Sequence, residues 1–121
     1  MTATTNLQPK AVFDLFAAIN KVPRPSKHEE KIIEYLVQFG KDHGLETEVD
    51  EVGNVIIRKP ATPGMENHPT VILQSHSDMV CEKNADVEHD FMNDPNRFPE
   101  KQKKQGSCTA MRGATPFITY I

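Results

Sequence analysis

A run of aliphatic residues, Val71-Ile72-Leu73, leads almost directly into a polar cluster of Ser75, His76, Ser77 and Asp78. β-Branched side chains favour extended backbone, and a continuous apolar run of this length suits a strand buried on both faces. Such a strand needs neighbours beside it and layers above and below, so it ties the chain to an α/β arrangement. The polar residues arrive where the strand should end, and in open α/β sheets that is where ligands bind. Residues two apart in an extended segment share a side, which makes His76 and Asp78 candidates to act together. A carboxylate that accepts one ring N–H fixes the imidazole tautomer and leaves the other nitrogen free for a metal ion. The plainer alternative is a capped strand end, with Ser77 and Asp78 bonding loop amides. A His-x-Asp pair alone does not separate the two.

The segments upstream supply the layers. From Pro9, Val12, Phe13, Phe16, Ala17 and Ile19 form one stripe at three- and four-residue spacing, which predicts a core-facing helix ending near Asn20. Pro23 and Pro25 stop it and stiffen the linker KVPRPS, in which Arg24 reads as a solvated loop residue. Ser26-x-x-Glu29 has the form of a capping box and predicts the start of a second helix, with Ile32, Ile33, Leu36, Val37 and Gly40 on its buried face. Gly44 should end it. His28 and His43 fall on its polar face and read as solvated. Leu45–Val49 and Asn54–Arg58, joined by Glu51-Val52-Gly53-Asn54, predict a β-hairpin. Beyond Asp78 an acidic loop contains His89 beside Asp90, a second possible ligand pair that spacing alone does not establish.

Charge narrows the partners. The 121 residues carry a net charge of −3, which gives no reason to expect nucleic acid. No apolar run approaches the ~20 residues that a bilayer requires, so no membrane partner is expected. Two cysteines, Cys81 and Cys108, make no disulfide framework, and free thiols suit a reducing compartment; a cytoplasmic location is the expectation. The charge is also uneven. Residues 1–95 hold nine Lys and Arg against sixteen Asp and Glu, net −7, whereas residues 96–121 hold five against one, net +4.

The wording of residues 11–95 carries a resemblance. VFDLFAAINKVPRPSKHEEKIIEYL, GLETEVDEVGNVIIRKPAT, VILQSHSDMVCEKN and VEHDFMNDP resemble, in order, the aminoacyl-histidine dipeptidases, also called cytosol non-specific dipeptidases or peptidase D. These belong to a group of two-zinc exopeptidases. The resemblance implies an α/β fold, the N-terminal portion of a zinc-exopeptidase catalytic domain: two helices, a β-hairpin, and a buried strand ending at the His-x-Asp motif. It implies hydrolysis of dipeptides such as aminoacyl-histidine, with two zinc ions as cofactors. Carried onto matching positions, His76 is a ligand of one zinc ion, and Asp78 is the catalytic-site carboxylate that orients its ring.

Other parts of the family pattern are missing. No GADN-like bridging Asp and no Glu-Glu pair follow His76, and the only such pair, Glu29-Glu30, lies in the second helix. The resemblance gives no counterpart here to the family's inserted dimerisation domain, so its absence from this chain is the expectation. Resemblance, charge balance and periodicity all change near Pro95, which divides the chain into a partial metallopeptidase domain, 1–95, and a non-matching basic tail, 96–121. A frameshift or a truncated gene model explains all three changes at once, the alternative being a short protein with its own basic tail; only Thr115–Ile121 in the tail suggests a strand. The expectation is a truncated zinc dipeptidase, inactive as this chain and at most weakly zinc-binding. It should be a marginal sheet fragment with exposed Val, Ile and Leu. The alternative is a non-catalytic small protein that binds a metal weakly, or a partner through an exposed sheet edge.

Overall fold

The computed structural model describes residues 7–96. Within them the chain runs helix α1 (Lys10–Ile19), helix α2 (Glu30–Asp42), strand β1 (Glu46–Val49) and strand β2 (Val55–Arg58). The strands pair antiparallel, with Glu46 opposite Arg58 and Thr47 opposite Ile57. The mixed α/β character, both helices and the hairpin follow the sequence pattern. The basic tail beyond Asn96, with Cys108 and the strand expected at Thr115–Ile121, lies outside the described residues.

Pro9 caps α1 in extended conformation, and its carbonyl accepts from the N–H groups of Val12 and Phe13. The helix buries Ile19 and leaves Val12 57% exposed, so its apolar stripe is only partly covered. At its end the Asn20 side-chain amide donates to the Phe16 carbonyl at 2.7 Å. Helix α2 packs across the hairpin and buries Ile32, Phe39 and Gly40 against it. Phe39 continues the Ile32–Leu36 row at three- and four-residue spacing, and its burial extends the face read from the sequence.

The end of α2 shows why Gly44 stands there. Its backbone is left-handed (φ +65°), a conformation that a Cβ disfavours. It lets Leu45 N–H reach the Gly40 carbonyl at 2.9 Å and Gly44 N–H reach that of Lys41 at 3.0 Å. These two bonds are a Schellman cap, which satisfies carbonyls the helix cannot use itself. The chain then enters β1 close beneath α2, where Gly40 leaves room for Thr47. A Cβ built on Gly40 would stand 1.9 Å from Thr47 Oγ1.

The hairpin turn is closed by Asp50, whose Oδ1 accepts from Val52 N–H at 3.0 Å and Asn54 N–H at 2.8 Å. Ile57 is 2% exposed and completes the small core of Ile19, Ile32 and Phe39. On the outer face Arg58 spans Glu46 and Glu48 at 3.0 and 2.8 Å. Solvent screens these pairs, so they contribute little to stability.

The segment expected as a buried strand departs from the reading. Residues 70–75 form no ladder with any described residue, and Val71, Ile72 and Leu73 are 71%, 67% and 51% exposed. The physical reason is the absence of neighbours. An apolar strand is stable when its amides and carbonyls are paired and its faces covered, and neither condition is met among the described residues. The exposure of Val, Ile and Leu expected of a sheet fragment is what results.

Candidate metal and catalytic site

With its own strand unpaired, the His-x-Asp loop is held from elsewhere. Met79 N–H donates to the Arg24 carbonyl at 2.8 Å, and Ser26 N–H donates to the Met79 carbonyl at 3.1 Å. This isolated parallel bridge, centred on Pro25 and Met79, fastens the loop to the linker between the helices. The linker in turn is anchored by Arg24, which is 1% exposed rather than solvated. Its guanidinium donates to the Ile19 carbonyl at 2.6 Å and to Asn20 Oδ1 at 3.2 Å. Burial pushes the Arg24 guanidinium down from its ordinary value. The reading of Arg24 as a loop residue in water fails because its partners belong to the end of α1, which the linker folds back to meet.

His76 and Asp78 come together. His76 Nδ1 lies 2.8 Å from Asp78 Oδ1 and 3.1 Å from the Asp78 carbonyl oxygen. An ionised carboxylate and a carbonyl are acceptors only, so Nδ1 is the nitrogen that carries the proton in the neutral ring. Nε2 is then left with its lone pair, the form a metal ligand needs. Asp78 is kept ionised: the Ser26 hydroxyl, then the His76 ring, hold its carboxyl below the usual carboxylate range. The His76 side chain is 59% exposed, so its free nitrogen is accessible.

Ser26 is the site residue that the sequence reading missed. Its hydroxyl donates to Asp78 Oδ2, across 52 residues of chain, and lies 3.3 Å from the Met79 carbonyl oxygen. The capping box expected of Ser26 and Glu29 is not formed. α2 begins only at Glu30, without a side-chain cap, and Glu29 Oε1 accepts from Lys27 N–H at 2.6 Å. The Ser26 hydroxyl donates to a charged acceptor, a strong bond, and the Ser26 backbone is tied to Met79 ahead of a helix that starts only at Glu30. No local signal distinguishes the two fates of Ser26.

The second suggested pair is not formed as read. Asp90 closes its own loop through Met92 N–H and the Asn93 side chain, at 2.9 and 2.8 Å. The His89 side chain is 8% exposed and its Nδ1 sits 3.6 Å from Asp94 Oδ2, beyond hydrogen-bond reach. Its ring meets that of Phe91 edge-on at 4.9 Å. His28 and His43 are exposed, as expected; His43 Nδ1 contacts the Phe39 carbonyl oxygen at 2.8 Å.

Between α2, β2 and the site loop lies an open cleft of about 640 Å³. Ile33, Leu36, Ile57 and Ile72 make its apolar wall, and Glu29, His76 and Asp78 stand on its rim. Among the described residues no three His, Cys, Asp or Glu side chains gather into a group able to hold a metal. The pair could supply one imidazole ligand with a carboxylate to orient it, and among the described residues no further ligand group stands with it. No helix among the described residues is long and apolar enough to cross a membrane.

No family model matches the chain. The chain is 50% identical over 95 residues to the cytosol non-specific dipeptidase of Escherichia coli (strain K12), a match that covers 78% of this chain and 20% of that protein. It is 46% identical to the crystal structure of aminoacylhistidine dipeptidase from Vibrio alginolyticus, with a TM-score of 0.74 over 78% of this chain and 19% of that one. The chain thus spans about a fifth of the length of the relatives it matches.

Proposed function

We propose, from a 95-residue stretch that is similar to the aminoacyl-histidine dipeptidases in sequence and in fold, that this chain is the opening segment of a dipeptidase catalytic domain and contributes the first half of its metal site. The observation that carries the reading is the His76–Asp78 pair, with its proton on Nδ1 and its Nε2 free, inside that stretch. His76 binds a zinc ion through Nε2. Asp78 holds the proton at Nδ1 and keeps the ring aimed. When bound, a zinc pair acidifies water and polarises the peptide carbonyl of a dipeptide. Every further requirement of that chemistry, the base carboxylate and the remaining ligands, must come from residues beyond those described. A single protein imidazole does not hold zinc tightly.

The 121-residue chain alone is accordingly inactive. The test is hydrolysis of an aminoacyl-histidine dipeptide by the purified chain, with zinc and with His76→Ala as control. No hydrolysis above that control is expected. Robust zinc-dependent turnover that disappears in His76→Ala overturns the half-site reading.

A further inference from the structure

We propose that Ser26 is a positioning residue for the metal-binding imidazole, acting through Asp78; this rests on the reading of His76 as a ligand. The Asp78 carboxylate uses one oxygen for His76 Nδ1 and the other for the Ser26 hydroxyl. Rotation about a carboxylate's terminal torsion is soft and roughly two-fold, so one bond leaves the plane of the group free to swing. Two donors on opposite oxygens fix it.

The position of Ser26 is itself determined. Its N–H is bonded to the Met79 carbonyl, one residue from Asp78, and Arg24 is bonded to Met79 N–H from the other side. Pro23 and Pro25 restrict the backbone before it. Lys27 after it adopts a left-handed conformation (φ 71°) that turns the chain away into α2. Arg24 closes the circuit by seating its guanidinium on the end of α1. Residues 71–75 lack ladder partners among the described residues, so the linker, and not that preceding segment, sets where the His-x-Asp loop lies. Ser26 is the one linker side chain that bonds the Asp78 carboxylate. A helix-capping role does not account for it, because α2 has no side-chain cap.

The test uses the 121-residue chain without metal, with ¹⁵N-labelled imidazoles, and reads the tautomer of His76 by NMR at neutral pH. Wild type should hold the Nδ1–H form. Ser26→Ala should shift the tautomer ratio by about three- to tenfold toward Nε2–H, the size of one ordinary hydrogen bond. Ser26→Thr, which keeps the hydroxyl, should restore the wild-type ratio. His28 and His43 report in the same spectrum and should not move. An unchanged His76 in Ser26→Ala, or an equal shift in Ser26→Thr, overturns the proposal. Where Ser26→Ala loses the folded amide spectrum, Ser26→Cys, with its weaker S–H donor, replaces it and should give a smaller shift in the same direction; no shift there overturns it equally. Adding zinc to wild type tests the underlying reading separately. Because one imidazole binds zinc weakly, the zinc is added in large excess; a His76 Nε2 signal that ignores even that excess ends the ligand assignment while leaving the positioning result intact.

Discussion

Replacing Gly40 by Ala tests the packing that brings α2 onto the hairpin. On an exposed helix the change favours folding by about 1 kcal/mol, because Ala is the better helix former. Here the new Cβ would lie 1.9 Å from Thr47 Oγ1, 3.0 Å from Thr47 Cβ and 3.2 Å from Thr47 Cγ2. Rotating Thr47 removes the first clash but leaves its Cβ in place, so α2 must lift from β1 by some tenths of an ångström. Overpacking of this kind costs about 1–3 kcal/mol, which outweighs the helix gain. The net expectation is a destabilisation of up to about 2 kcal/mol, read as a lower urea midpoint by circular dichroism. Thr47→Ala removes both substituents that crowd the site. In that background Gly40→Ala should cost less than about half as much, a coupling that a double-mutant cycle reports directly. A Gly40→Ala variant more stable than wild type, or one whose effect ignores Thr47, refutes the reasoning.

Two further outcomes follow from the linker. Lys27 holds a left-handed backbone that costs a non-glycine residue about 1–2 kcal/mol. Lys27→Gly should therefore raise stability by up to about 1 kcal/mol after the entropy cost of glycine, measured by the same urea midpoint; a fall in midpoint contradicts it. Asp78 has its folded-state carboxyl lowered by Ser26 and His76. Its contribution is therefore present above the unfolded value and lost as pH falls through the folded one. The stability gap between wild type and Ser26→Ala should thus be open at neutral pH and close below about pH 4. A gap that stays constant with pH shows that Asp78 is not the acceptor that matters.

Local features were legible where local physics decides. The stripe from Val12 to Ile19, the glycine at position 44 and the alternating hairpin each have one stable solution at short range, and each formed. What sequence reading missed lies between distant residues. Ser26 and Glu29 carry the letters of a capping box, but Ser26 is claimed by Asp78, 52 residues away. Arg24 sits in a proline-rich linker, and only the return of that linker onto the end of α1 buries it. The run Val71–Leu73 reads as a buried strand but lies exposed and unpaired among the described residues, because a strand is a property of its neighbours as much as of itself. The pairing of His76 with Asp78 was visible because residues two apart need no tertiary structure to meet.

The most direct measurement places this segment in a complete enzyme. A chimera of the E. coli cytosol non-specific dipeptidase, with the matching stretch replaced by that of this chain, would supply whatever ligands lie beyond residue 96. The account predicts zinc-dependent hydrolysis of an aminoacyl-histidine dipeptide. It also predicts that His76→Ala abolishes the activity and that Asp78→Ala lowers it by about 10- to 100-fold, as loss of an orienting partner does. A folded chimera that turns over the dipeptide equally well without His76 would contradict it.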